Sequence, residues 1–288
     1  MADKRWVSTT GDLGAVASYD PSGVPIDLDS LYFDGSSNQD AHTSMSTFSA
    51  ITITRFWAQP PFQGDIGANG NPILMTAKQL VHQGSGSVYH DHPAVSGPSY
   101  IVIDSPNLQD AYTLTATGGA GGLDATWSVV NGRMIVLDNS SSVLGTLLVG
   151  PGRLAAPIVD IGKINTVADY RQSGGFVTTK TPLAANLSTS RAIIDGGTLV
   201  YHKDATTTLP WTKMAITGGR VEYNGVGVSG GVHMTECVLA SGILDMTKDS
   251  RAKTISKLII LPGGVFLTHK NITVTTLIDL RGSYPILP

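Results

Sequence analysis

The chain has 288 residues, of which 41 % are hydrophobic and 14 % charged, with a formal net charge of −3. It is too apolar for a disordered polymer, and its weak negative charge excludes a general pull toward nucleic acid or acidic lipid. The single cysteine, Cys237, excludes an intramolecular disulfide framework and any multi-cysteine zinc site.

The opening Met-Ala-Asp-Lys-Arg-Trp lacks the apolar stretch of a secretory signal. No apolar run is long enough for a membrane span, so no membrane partner is expected. Residues 1–60 do not repeat. Leu31-Tyr-Phe-Asp and Ile51-Thr-Ile-Thr-Arg-Phe-Trp read as strands, and residues 35–49 as polar loop. A solenoid needs its open end shielded, so this segment is expected to be a cap or an anchoring arm. Trp57, Pro60, Pro61 and Phe62 form an apolar cluster that fits either cap packing or a contact patch.

His90-Asp-His92 aims two imidazoles to one face of an extended segment, with His82 nearby. The neighbouring Pro93 and glycines point to an exposed turn. Surface histidines are the plain reading, and a metal site completed by another chain is the alternative. The run Gly118 to Gly122 reads as a turn, not a phosphate loop, because no strand–helix pattern surrounds it.

From Gly174 onward a Gly-led strand recurs. Gly175, Gly197, Gly219, Gly242 and Gly264 are spaced 22, 22, 23 and 22 residues apart. A fixed period of this length marks a solenoid. Two residues after each glycine stand Val177, Leu199, Val221, Leu244 and Phe266, which alternation assigns to the interior. Three residues before stand Ile194, Ile216, Leu239 and Leu261, and five before stand Ala192, Met214, Cys237 and Ile259. These columns are expected to point inward too, with Cys237 a buried and inert thiol. Glycine suits the corner between the two strands because it tolerates φ > 0 and close backbone approach. The expected fold is all-β, a right-handed parallel β-helix over residues 61–288, with a C-terminal cap from about 273. The tail Tyr284-Pro-Ile-Leu-Pro is too apolar for a plain solvated terminus.

Glu222 and Asp245 fall three residues after their glycines, on the outward face of adjacent coils. Strand spacing places their backbones about 4.8 Å apart. Paired carboxylates at about 5–5.5 Å are the equipment of a retaining glycosidase. The plain reading is two surface acids relieved by Arg220 and Lys248. Thr178, Val200 and Leu267 in the same column do not build a sugar groove.

Trp6-Val, Tyr19-Asp-Pro-Ser-Gly-Val-Pro and Asp29-Ser-Leu-Tyr-Phe33-Asp resemble a recurring opening, Trp…Asn-Trp-Ser-x-Gly-Val-Pro…Asp-x-Val-x-Phe. That opening is associated with right-handed parallel β-helix proteins, many encoded among the virion genes of tailed bacteriophages. The resemblance covers about the first 35 residues and departs at Ser18-Tyr19, where the opening has Asn-Trp. It implies a virion structural protein. Polysaccharide-cleaving spikes are usually longer, so a capsid decoration or cement protein fits this length better. Such a protein sits on the outer surface of the phage head as a homotrimer, bound to the major capsid protein. It needs no cofactor, catalyses nothing and binds no nucleic acid. Under this reading Trp6, Tyr19, Phe33, Trp57 and Phe62 are the interface candidates. The alternative is a short tailspike or fibre-like β-helix that binds or cleaves surface polysaccharide, with Glu222 and Asp245 as its acids.

Overall fold

The computed structural model describes the chain outside residues 93–99, 110, 116–124, 138–142, 154–155, 162–165, 180–190, 202–210, 224–231, 249–251 and 283–288. The run Gly118 to Gly122 and the tail from Tyr284 therefore lie outside the described residues.

The described chain is a parallel β-solenoid of about 22 residues per coil. Two long ladders carry it. One runs from Asp3–Trp6 through Ser30–Phe33, Thr52–Ala58 and Thr76–His82 to Lys253–Ile260 and Ile272–Asp279. The other runs from Ile73–Leu74 and Val88–Asp91 to Ile243–Asp245 and Val265–Leu267. Alternation fixes the interior. Leu31, Phe56, Leu80 and Ile101 stack rung on rung in the first ladder, and Val177, Leu199, Val221 and Leu244 in the second. All eight are buried. Each rung shields the apolar face of its neighbours, so the core is one continuous column.

The corner glycines explain the sharp turn between ladders. Gly175, Gly197 and Gly219 have φ of 73°, 74° and 69°. In the final coil the positive φ moves to Gly263, at 98°. That shift corrects the expected register by one residue. Cys237 pairs with Leu258 rather than with Ile259, and Leu239 with Ile260 rather than with Leu261. Leu258 and Ile260 are the buried residues, and Ile259 faces outward. The turn after Gly263 holds one extra residue before the interior Phe266, which restores the downstream column.

No break in the ladder occurs at residue 60, where cap was expected to give way to solenoid. Ser30–Phe33 and Thr52–Ala58 are ordinary parallel rungs. The departure from regularity lies earlier. Arg5 and Trp6 pair antiparallel with Asp20 and Tyr19, and a short 3-10 turn spans Val16–Ser18. At the other end Ile272–Asp279 is the last parallel rung, and its residues are mostly exposed.

Candidate functional site

The aromatic side chains expected at an interface are mostly core. Trp6, Tyr19, Phe33 and Phe62 are all buried within the chain itself. Phe33 is their hub, with ring centroids 5.3 Å from Trp6, 5.1 Å from Phe62 and 5.5 Å from Phe56. Trp6 Nε1 donates to the Gln39 carbonyl at 3.0 Å, and the Tyr19 hydroxyl to the Leu13 carbonyl at 2.8 Å. These rings hold the first coils together and cannot touch a partner without unfolding them. Trp57 differs, being half-buried on the outward face. It lies 6.1 Å from Tyr32 and under the Arg55 guanidinium at 5.7 Å, and its Nε1 donates to Gln83 Oε1 at 2.9 Å.

The surface near the N-terminal end carries residues that pattern reading passed over. Val16, Ile26 and Leu28 are 56 %, 66 % and 40 % exposed. Leu28 also has φ of 68°, a left-handed conformation that disfavours a branched, bulky side chain. Strain of this kind persists where surroundings enforce it and clusters at functional positions. Here the Leu28 amide donates to the Thr52 carbonyl at 2.8 Å, and Asp29 accepts from the Ile26 amide at 3.2 Å. The signal in the sequence was Val24-Pro-Ile-Asp-Leu: apolar residues inside a proline-interrupted run that cannot join a ladder.

The histidines are not surface residues. His82, His90 and His92 are buried inside the solenoid, which corrects the exposed-turn expectation. Strand alternation placed them there: His82 and His90 each take an inward position of their strand. The His90 ring is fully engaged. Its Nε2 lies 2.7 Å from the Met75 carbonyl, which can only accept, so Nε2 carries the proton. Nδ1, 2.8 Å from the Tyr112 hydroxyl, then accepts. Burial pushes His90 down to about 3, an effect the Met75 hydrogen bond opposes and His92 reinforces. Burial alone pushes His82 down to about 4. Neither His82 nitrogen has a hydrogen-bond partner among the described residues. Among those residues no group of three His, Cys, Asp or Glu side chains is arranged to hold a metal ion.

Glu222 and Asp245 are directly paired across adjacent rungs, as their spacing required. Arg220 bridges them: its Nε donates to Glu222 Oε1 at 2.5 Å and its Nη2 to an Asp245 oxygen. Lys248 adds a contact to Glu222 at 3.3 Å, and the Thr247 hydroxyl and amide bond Asp245 at 2.6 Å and 3.0 Å. Burial favours the neutral form of both acids. For Glu222 the hydrogen bonds and charges of Arg220 and Lys248 outweigh it, and the carboxyl is held below its ordinary range. For Asp245 the two Thr247 hydrogen bonds and the same cations do so. A retaining glycosidase needs one of its acids raised so that it can donate a proton. Both are held low here by their partners, and Arg220 joins them in an ion-paired clasp between coils. Arg220→Met is expected to leave two adjacent carboxylates with Asp245 largely buried. The expected loss is about 2–3 kcal/mol at neutral pH, read from urea midpoints. The loss should shrink below about pH 4, where the carboxylates protonate.

Cys237 is buried, and burial pushes its thiol up to about 12, so it packs as a small apolar residue. His269 is half-buried beyond Val265–Leu267, and His202 lies outside the described residues. No helix among the described residues is long and apolar enough to cross a membrane.

A shallow groove of about 270 Å³ opens on the outward face of the second ladder, lined by Asn69, Ser87, Tyr89, Gln109 and Arg133 among others. Comparison with known proteins gave no match to any family model, curated protein or solved structure.

Proposed function

We propose that this chain is a non-enzymatic structural protein of a bacteriophage virion, a capsid decoration or cement protein that stiffens the head shell. The observation that carries the reading is the locked Glu222–Arg220–Asp245 clasp. Both carboxylates are engaged by Arg220 within the chain, which suits a stiff, self-neutralised rod. The resemblance of the opening around Trp6, Tyr19 and Phe33 supplies the virion context. In this reading the solenoid projects from the shell and assembles as a trimer. Its N-terminal end meets the major capsid protein through Val16, Ile26 and Leu28, not through the buried aromatics. Exposed apolar side chains in a fixed, strained backbone suit a surface pre-organised for docking.

Cryo-electron microscopy of purified particles from the source tests this reading. Stoichiometric density on the capsid lattice, N-terminal end inward, is the expected result; density only at the tail, or none, overturns it. Val16→Asp combined with Ile26→Asp is expected to abolish rebinding to stripped particles while leaving the circular dichroism spectrum intact. Rebinding by that variant would move the contact elsewhere.

A second reading, a short spike that binds surface polysaccharide without cleaving it, is favoured by the groove at Tyr89. An aromatic ring beside amides and Arg133 offers a stacking face and hydrogen bonds to sugar hydroxyls. Glycan-array binding lost on Tyr89→Ala would support it.

A further inference from the structure

The outward side chains of the first ladder form continuous columns, and one of them is apolar along most of its length. Pairing register runs it from Tyr32 and Trp57 through Val102 and Leu148 to Val238 and Ile278. These six residues are half-buried, except Ile278, which is exposed. The outward face of a solvated strand is ordinarily polar. Here one outward position in each coil is mostly apolar, from near one end of the rod to the other. Ser128 and Arg171 interrupt the stripe and Arg5 precedes it at the N-terminal end; the Arg171 charge is met by Asp169 at 3.0 Å.

The two columns beside the stripe differ in charge. On the side two residues earlier in each strand stand four cations, Arg55, Arg191, Lys213 and Lys257, against the carboxylates Asp169 and Glu236. On the side two residues later stand Asp34, Asp104 and Asp195 and no cation. The face is thus an apolar seam with a net basic border and an acidic one.

We propose that this face packs against the same face of a second copy of the chain, the two solenoids parallel and their N-terminal ends together. Length selects the occupant. Eleven strand spacings of about 4.8 Å make the seam roughly 53 Å long, and only an equally long, flat β-surface covers it. With three outward columns about 14 Å across, each copy offers about 740 Å², close to the roughly 800 Å² per partner of a stable interface. Charge selects the orientation. Rotation about an axis parallel to the rod lays the basic border of one copy over the acidic border of the other. The antiparallel arrangement about the strand direction lays basic on basic and acidic on acidic, which costs affinity. Around a three-fold axis parallel to the rods the three seams face the centre together, and the basic border of each copy meets the acidic border of the next. This association concerns the chain alone and holds or fails whether or not a shell is its destination.

The test uses the full-length protein with single cysteines introduced as Val81→Cys or Val238→Cys, seven rungs apart on the seam. The native Cys237 stays silent because it is buried with its thiol pushed up to about 12. Packed sheets lie about 10 Å apart, so a short bis-maleimide is used instead of oxidation. Each variant alone is expected to cross-link to itself, with light scattering reporting a dimer or trimer. Val238→Asp is expected to yield a folded monomer and no cross-link from Val81→Cys in the same chain. A monomeric native protein overturns the proposal. So does cross-linking only when the two cysteine variants are mixed, or an oligomer that Val238→Asp leaves intact.

Discussion

Gly197→Ala is expected to destabilise the protein by at least about 3 kcal/mol, since a left-handed backbone and a backbone clash act together. Gly197 has φ of 74°, which costs an L-residue about 1–2 kcal/mol by itself. Space adds to this. A Cβ at Gly197 would fall inside contact distance of the Gly175 carbonyl oxygen and of backbone atoms of Gly174. Neither neighbour is a flexible side-chain tip that could swing away. Gly219 repeats the arrangement one coil on, its missing Cβ standing where the Gly197 carbonyl sits. The glycine column is therefore a stacking device: each corner carbonyl occupies the volume that a side chain on the next corner would need. Gly70 is the matched control. Its φ is 83°, but a Cβ there meets nothing within 4 Å. Gly70→Ala should cost only the conformational part, about 1–2 kcal/mol. Urea unfolding of both variants measures the contrast, and near-equal midpoints would refute the stacking argument. Because coils contact only neighbours, hydrogen exchange should show the Gly197→Ala damage concentrated in flanking rungs.

That column was legible in the sequence because glycine is demanded by backbone geometry, which no alternative packing can relax. The outward pairing of Glu222 with Asp245 was legible for a similar reason: strand alternation and a constant coil length leave one register. The same counting failed at Ile259 and Leu261, where one residue moved from the preceding loop into the corner turn without changing the period. Spacing between glycines is blind to such a trade; only the burial of Leu258 and Ile260 reveals it. The first 60 residues misled for another reason. Their coils are longer and carry aromatic in place of aliphatic interior residues, so they look non-repetitive while stacking like the rest. An aromatic such as Phe33 or Phe62 fits a core and an interface equally well by composition, and only neighbours decide between them. His90 and His92 sat beside a proline and glycines, which suggested a turn. The inward position of His90 was set by pairing with Ile73 and Leu114 on the neighbouring coils, information that a local window does not hold.

Those buried histidines are expected to set the stability of the protein at mildly acid pH. Both His82 and His90 are enclosed, and burial holds them at about 4 and about 3, against about 6.5 in an unfolded chain. The unfolded state thus binds more protons than the folded one throughout that interval. Stability is full above about pH 6.5 and is lost as pH falls toward the folded values. Each unit of difference is worth about 1.4 kcal/mol, so the two rings together put several kcal/mol at stake. Carboxylates act in the same direction but lower on the scale. Asp169, Glu222 and Asp245 are held below their ordinary values by cations and hydrogen bonds, so their contributions are lost only below about pH 4–5. The interval between pH 7 and pH 5 therefore isolates the histidines. Urea midpoints are expected to fall steeply across it. His82→Leu should flatten that fall and raise the midpoint at pH 5, because it removes an imidazole with no hydrogen-bond partner among the described residues and keeps similar volume. His90→Leu should flatten it too but lower stability at pH 7, since it strands the Tyr112 hydroxyl and the Met75 carbonyl. A midpoint independent of pH between 7 and 5, or a His82→Leu profile parallel to that of the native protein, would show that water reaches these rings and that the solenoid interior is open at this level.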